Sequence, residues 1–245
     1  MPMDARVFRD LEALSRGALE ELLRALREAI EQRGRFAIAL SGGRTPAKLY
    51  ALWAESGKNG PHTPWDRVHL FWGVERYVPH DDLLSNYRMA RETLIAHVPI
   101  PPANVHPMPT GYAHPEDAAE AYESELRAFF GSESPAFDVQ LLGLGADGHT
   151  ASLFPGCPLL HGTHRWVAAV EAPAQPTQRL TLTPTVLNQG RNTFFLVSGS
   201  DKRAIIAGLK IEDPTKPSRY PAGQVRPTGR VLLFLDDAAA GGPHA

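Results

Sequence analysis

Residues 137–156 read FDVQLLGLGADGHTASLFPG, an apolar run from Phe137 to Leu144 that breaks into Gly143, Gly145 and Gly148 and then into Asp147-Gly148-His149-Thr150. The run predicts a buried strand. The three glycines after it predict a loop that turns sharply or lies against a ligand, because glycine permits both. In open α/β sheets the carboxyl ends of the strands form the ligand crevice, and a histidine placed there titrates near neutral pH and can move protons.

Working outward from this stretch, the same strand, glycine turn and helix pattern recurs. Phe36 to Leu40 predicts a strand that runs into Ser41-Gly42-Gly43-Arg44-Thr45-Pro46, with Thr45 as helix N-cap and Pro46 at the first helical position. Free N–H groups at such a helix start form an anion site. Val68 to Trp72 predicts a strand leading into Val74-Glu75-Arg76, and Thr193 to Val197 one leading into Ser198-Gly199-Ser200-Asp201-Lys202. Val231 to Leu235 is a last strand, and shorter extended pieces fall at Trp166 to Val170 and Arg179 to Leu182. Between them lie helices. Leu11 to Ile30 carries leucine and alanine at three- and four-residue intervals, another helix opens at Ser85, and a third covers Pro115 to Phe130. Asp213 to Pro227 reads as irregular and the tail from Ala238 as frayed. Alternating strands and helices imply β-α-β units, hence an α/β fold: a three-layer α/β/α sandwich on a mostly parallel sheet. No repeat or low-complexity linker interrupts it, which predicts one domain over residues 1–245.

The 245 residues are 43% apolar and 21% charged, with a net charge of −2. That balance offers no footprint for nucleic acid or an anionic membrane, so anion recognition must come from a few aimed donors. A single cysteine, Cys157, excludes an internal disulfide and a cysteine-built zinc site, and no metal site is expected. No apolar segment approaches the roughly 20 residues that span a bilayer, and a cytoplasmic protein is expected.

The strand ends together supply glycine-rich backbone donors, Arg76, Lys202 and His149, an inventory suited to a small phosphorylated metabolite. Ser41 to Thr45 is not a Walker loop, since no Gly-Lys-Ser/Thr closes it. Gly143, Gly145 and Gly148 formally satisfy G-x-G-x-x-G, but Pro155 and Gly156 follow too closely for the long helix that dinucleotide binding requires. Plainer readings stand beside these. Asp147 is also a turn cap, Arg76 an ion-pair partner for Glu75, and Lys202 a solvated helix residue.

Ser41 to Pro46, Glu75-Arg76-Tyr77-Val78-Pro79 with Ser85-Asn86-Tyr87, Gly143 to Gly156, Ser198 to Lys202 and Arg219-Tyr220-Pro221-Ala222 together resemble the glucosamine-6-phosphate isomerase/6-phosphogluconolactonase family. The resemblance runs from about Phe8 to Ala238. Asp-Gly-His-Thr-Ala-Ser-Leu-Phe-Pro-Gly is similar to the lactonase branch, whereas the deaminases have an asparagine and a glutamate ahead of Pro-Gly. The resemblance implies a Rossmann-like fold and hydrolysis of 6-phosphoglucono-δ-lactone to 6-phosphogluconate in the oxidative pentose phosphate route, with no cofactor. It implies a monomer or homodimer whose partner is the small-molecule substrate. On that reading His149 is the general base. Ser41, Thr45, the amides of Gly42 and Gly43, Arg76 and Lys202 take the phosphate, and Arg179 the lactone end. One departure stands out: Val74 occupies a position where the family pattern usually has aspartate, and for a histidine that such a carboxylate orients three outcomes follow: Glu75 or Asp147 substitutes, activity is reduced, or the chain binds without turnover. The readings from other classes are a non-catalytic sugar-phosphate sensor on the same fold and, with the wrong segment after the histidine, a deaminase-type isomerase.

Overall fold

The structure, a computed structural model, describes residues 4–59, 63–131, 135–211 and 218–242. The chain opens on a strand absent from the sequence reading, β1 (Asp4–Phe8), whose alternating, mostly exposed side chains lack the apolar run that marks a buried strand. Helix α1 (Leu11–Arg33) follows. Asp10 caps it by accepting a hydrogen bond from the Ala13 amide, and Gly34, with φ 74°, ends it in the left-handed conformation that glycine adopts without strain. Leu14, Ala18, Leu22, Leu26 and Ala29 form its buried stripe.

Then come β2 (Phe36–Leu40), every residue of which is buried, and α2 (Arg44–Asn59). The helix starts at Arg44, so Thr45 lies inside the first turn and is not its cap. β3 (Val68–Trp72) leads through Gly73 into β4 (Val74–Arg76), read from the sequence as a loop. Helix α3 (Asn86–Thr93) carries Ser85 as N-cap, as expected, with its hydroxyl accepting from the Arg88 amide. β5 (Val105–His106) and α4 (Pro115–Phe130) complete the first half. The strand predicted from Phe137 to Leu144, β6 (Val139–Leu142), is shorter than that run, though Phe137 and Leu144 beside it are buried. The second half holds β7 (Val167–Glu171), β8 (Gln178–Leu182), α5 (Pro184–Leu187), β9 (Asn192–Val197) and α6 (Arg203–Ile211). It ends with α7 (Pro221–Gln224), β10 (Arg230–Asp236) and α8 (Asp237–Ala240). α7 gives the expected irregular segment one helical turn, while 212–217 lie outside the described residues. α8 replaces the expected fraying, held by the Asp236 carboxylate on the Ala239 amide.

Seven strands pair in the order β1-β10-β9-β6-β2-β3-β5, every pairing parallel, and helices flank the sheet. The buried apolar residues form one cluster that runs from Leu14 to Ala239. From β2 the chain winds outward through β3 to β5. It then returns to β6 on the other side of β2 and winds outward again through β9 and β10. The direction reverses between β2 and β6, so their carboxyl ends diverge into a crevice. Those ends carry Ser41-Gly42-Gly43 and Gly143 to His149.

The edge strand β1 is tied down electrostatically. Arg6 on β1, Arg24 on α1 and Arg230 on β10 all reach the Glu21 carboxylate on α1. Burial alone would raise the pKa of Glu21, but the three guanidinium hydrogen bonds outweigh it and bring it down to about 2. A second, three-stranded antiparallel sheet, β4-β8-β7, stands over the crevice.

Candidate active site

The crevice is a cleft of about 570 Å³, inside the roughly 300–1,000 Å³ typical of small-molecule sites. Ser41, Gly42, Gly43, Arg76, Asp147, His149, Arg179 and Lys202 all line it. Thr45 and Glu75 do not.

His149 and Asp147 form a pair within one loop. The Asp147 carboxylate accepts from the His149 ring Nδ1 at 2.6 Å and from the His149 amide at 3.1 Å. Partial burial pushes the Asp147 carboxyl up, but these bonds outweigh it and hold it below the ordinary range. An ionised Asp147 requires the proton on Nδ1, which leaves Nε2 as the free basic nitrogen. Gly145 makes the fold-back possible: a Cβ there would overlap the His149 ring and the Asp147 carboxylate. Gly148 has φ +83°, and its carbonyl accepts from the Ala222 amide, so the start of α7 braces the loop from behind. Phe154 covers one face of the imidazole, with ring centroids 4.6 Å apart.

The phosphate-loop candidates sit at the end of β2. Tyr50, fully buried, pins Ser41 by accepting from its amide and donating to its carbonyl. The next two amides, of Gly42 and Gly43, take no part in the turn and cap bonds of the described residues. On the far side, Asp236 accepts from the Ser198 hydroxyl and the Gly199 amide and so fixes the turn that presents Lys202. Lys202 pairs with its neighbour Asp201 at 2.7 Å.

The small sheet contributes the guanidinium groups. Strand alternation sends Val74 and Arg76 to one face of β4 and Glu75 to the other. Glu75 is 1% exposed, and its carboxylate is filled by the amides of Arg76, Asn86 and Tyr87 and the Ser85 hydroxyl. Burial raises its pKa against those bonds. The expectation that Glu75 reaches the histidine is therefore corrected: its side chain anchors the start of α3, and Asp147 is the carboxylate on His149. Opposite Arg76, in register, stands Arg179 on β8. Its Nε is buried without a hydrogen-bond partner, and burial followed by repulsion from Arg76 lowers its pKa. A buried, unpartnered guanidinium N–H in a cleft marks an anion or hydroxyl subsite.

The chain matches the model of the family described as glucosamine-6-phosphate isomerases/6-phosphogluconolactonase over residues 9–234. The chain belongs to this family. It is 45% identical to a 6-phosphogluconolactonase of Synechocystis sp. over 215 residues, 86% of each chain. It is 41% identical to one of Nostoc sp. over 245 residues, 98% of each. Its structure resembles that of 6-phosphogluconolactonase from Trypanosoma cruzi, with a TM-score of 0.86 and 29% identity, covering 100% of this chain and 98% of the other.

Within the cleft, several lining residues carried no role in the sequence reading, among them Asn86, Phe154 and the Ala172-Pro173-Ala174 turn between β7 and β8. The turn gives no compositional signal, because its place over the cleft depends on the pairing of β7 with β8. Among the described residues no group of three or more His, Cys, Asp or Glu side chains is placed to hold a metal ion. None of the described helices is long and apolar enough to cross a membrane.

Proposed function

We propose that the protein hydrolyses 6-phosphoglucono-δ-lactone to 6-phosphogluconate, a step of the oxidative pentose phosphate route. The observation that carries this reading is that a His149 whose tautomer is set by Asp147 shares one cleft with three cationic side chains and the free Gly42 and Gly43 amides. The first arrangement suits proton transfer to water, the second a phosphorylated, uncharged ring.

In the proposed mechanism the phosphate lies against the Ser41 to Gly43 loop, Arg76 and Lys202, with Arg179 toward the lactone. Nε2 of His149 removes a proton from a water as its oxygen bonds to the lactone carbonyl carbon. The negative charge that develops on the carbonyl oxygen faces the donors of the cleft. Collapse of the tetrahedral intermediate breaks the bond to the ring oxygen, which takes the proton back from the imidazolium. The carboxylic acid formed then ionises. General base catalysis contributes on the order of 10²- to 10⁴-fold, a large share for a lactone that also opens unaided.

The setting proposed is the cytoplasm, where a phosphorylated sugar is retained by its charge. The chain acts as one catalytic domain, monomeric or homodimeric, without a nucleic-acid partner. A direct test supplies the lactone and, separately, glucosamine 6-phosphate. Faster loss of the lactone and no ammonia support the reading; ammonia from the amino sugar would overturn it.

A further inference from the structure

We propose that Asn86 is a positioning residue for Arg76, one that aims its guanidinium into the cleft without neutralising it. The inference rests on the lactonase reading of the same cleft.

Asn86 is the first residue of α3 and is 4% exposed. Its backbone amide and both polar atoms of its side chain are engaged. Its amide donates to the Glu75 carboxylate at 2.7 Å, its side-chain Nδ2 donates to the Val74 carbonyl at 2.8 Å, and its Oδ1 accepts from Arg76 Nη1 at 2.7 Å. The same Nη1 donates to the Leu84 carbonyl at 2.9 Å. Both acceptors that hold the guanidinium are neutral. The carboxylate nearest in sequence, Glu75, is turned to the opposite face and filled by backbone donors. A carboxylate in the place of Asn86 Oδ1 would hold Arg76 equally well and cancel its charge for any bound anion.

Asn86 also touches the other anion-binding element. A Cβ at Gly42 would overlap its side-chain amide, so the glycine loop lies directly on Asn86. One side chain thereby spaces the loop amides, the β4 backbone and the Arg76 guanidinium. Orientation of a rigid donor fork is what bidentate phosphate recognition depends on, so the effect belongs in substrate affinity.

The test is a double-mutant cycle. Asn86→Asp is close to isosteric and leaves the backbone bond to Glu75 in place. It should raise KM for the lactone at least about tenfold while kcat changes less than about threefold. In an Arg76→Gln background the same substitution should change KM less than about twofold, because the residue through which it acts is gone. Equal increases in both backgrounds, an effect confined to kcat, or no effect would each overturn the proposal. Asn86→Ser, which retains a neutral oxygen but shortens its reach, should fall between wild type and Asn86→Ala; an Asn86→Ala protein with unchanged KM would also overturn it. The cycle is read in parallel as the Kd for 6-phosphogluconate by calorimetry. A wild-type protein that binds this compound without turning over the lactone would contradict the catalytic reading, while the Kd cycle would still decide the role of Asn86.

Discussion

Arg76 and Arg179 stand opposite each other in register on antiparallel strands, and both line one cleft, where the charge of Arg76 acts on Arg179. Like charges directly across a strand pair destabilise the sheet, and the buried Nε of Arg179 adds an unmade hydrogen bond. The Glu75 charge offsets part of this local cost, and an anionic or oxygen-rich ligand would offset more.

Replacing Arg179 should therefore separate stability from function. Arg179→Met removes the repulsion and the orphaned donor while retaining the unbranched apolar stem of the side chain. It should raise the unfolding temperature by about 2–4 °C, the equivalent of about 1 kcal/mol in a chain of this size. KM for the lactone should rise together with it. A lower unfolding temperature, measured by calorimetry without ligand, would contradict this.

The Glu75 carboxylate is filled by backbone donors, so on the proposed reading it serves structure and not chemistry. Glu75→Gln exchanges an acceptor of three backbone N–H groups for an amide that can accept with one oxygen only. A loss of about 1–3 kcal/mol follows from the unsatisfied amides at the start of α3. Urea unfolding should show the loss, while the pH dependence of kcat keeps its shape. A shifted pH profile with unaltered stability would return Glu75 to the catalytic group.

Asp147→Asn should leave the loop folded but present the histidine ring with an amide in place of a carboxylate. The Nδ1 tautomer is then no longer enforced, and kcat should fall about 10- to 100-fold with KM little changed. Stopped-flow lactone hydrolysis measures this; an undiminished kcat would show that the 2.6 Å contact does not serve the base.

A pH effect lies far from the cleft. His69 on β3 packs at a tilt against Phe129 and stacks on His106, which in turn pairs with Glu125. Burial first, and the neighbouring charges of His106 and Arg35 second, bring the His69 pKa down to about 4. The unfolded chain takes up this proton near pH 6.5 and the folded one only near pH 4. Its stabilising contribution is therefore present above pH 6.5 and is lost as pH falls toward 4, by on the order of 2 kcal/mol. His69→Phe should flatten the stability profile between pH 6.5 and 4 relative to wild type. Parallel profiles would count against it.

Much of this architecture is legible in the residues themselves. Phe36 to Leu40 and Phe194 to Val197 are continuous apolar runs because parallel strands are buried on both faces, and α1 shows its stripe over six turns. The elements that escape are those without a periodic window. β1 is an exposed edge whose binding lies in Arg6 and Glu21, and β4 is three residues long. The site follows the same division. His149, Lys202 and the glycine loop are announced by position after a strand. The opposition of Arg76 and Arg179, and the turning of Glu75 away from the cleft, follow from strand register and alternation, which no local spacing encodes. Val74, where an aspartate was expected, lines the cleft beside Arg76, and the histidine takes its carboxylate from two residues away instead.

Whether His149 activates water for lactone opening is measured most directly by generating 6-phosphoglucono-δ-lactone in place and following its loss with wild-type protein, with His149→Ala and with buffer alone. Wild-type protein should accelerate the loss, and the acceleration should fall at least about 10²-fold in His149→Ala, with 6-phosphogluconate still bound. A His149→Ala protein as active as the wild type, or a wild type no faster than buffer, would contradict it.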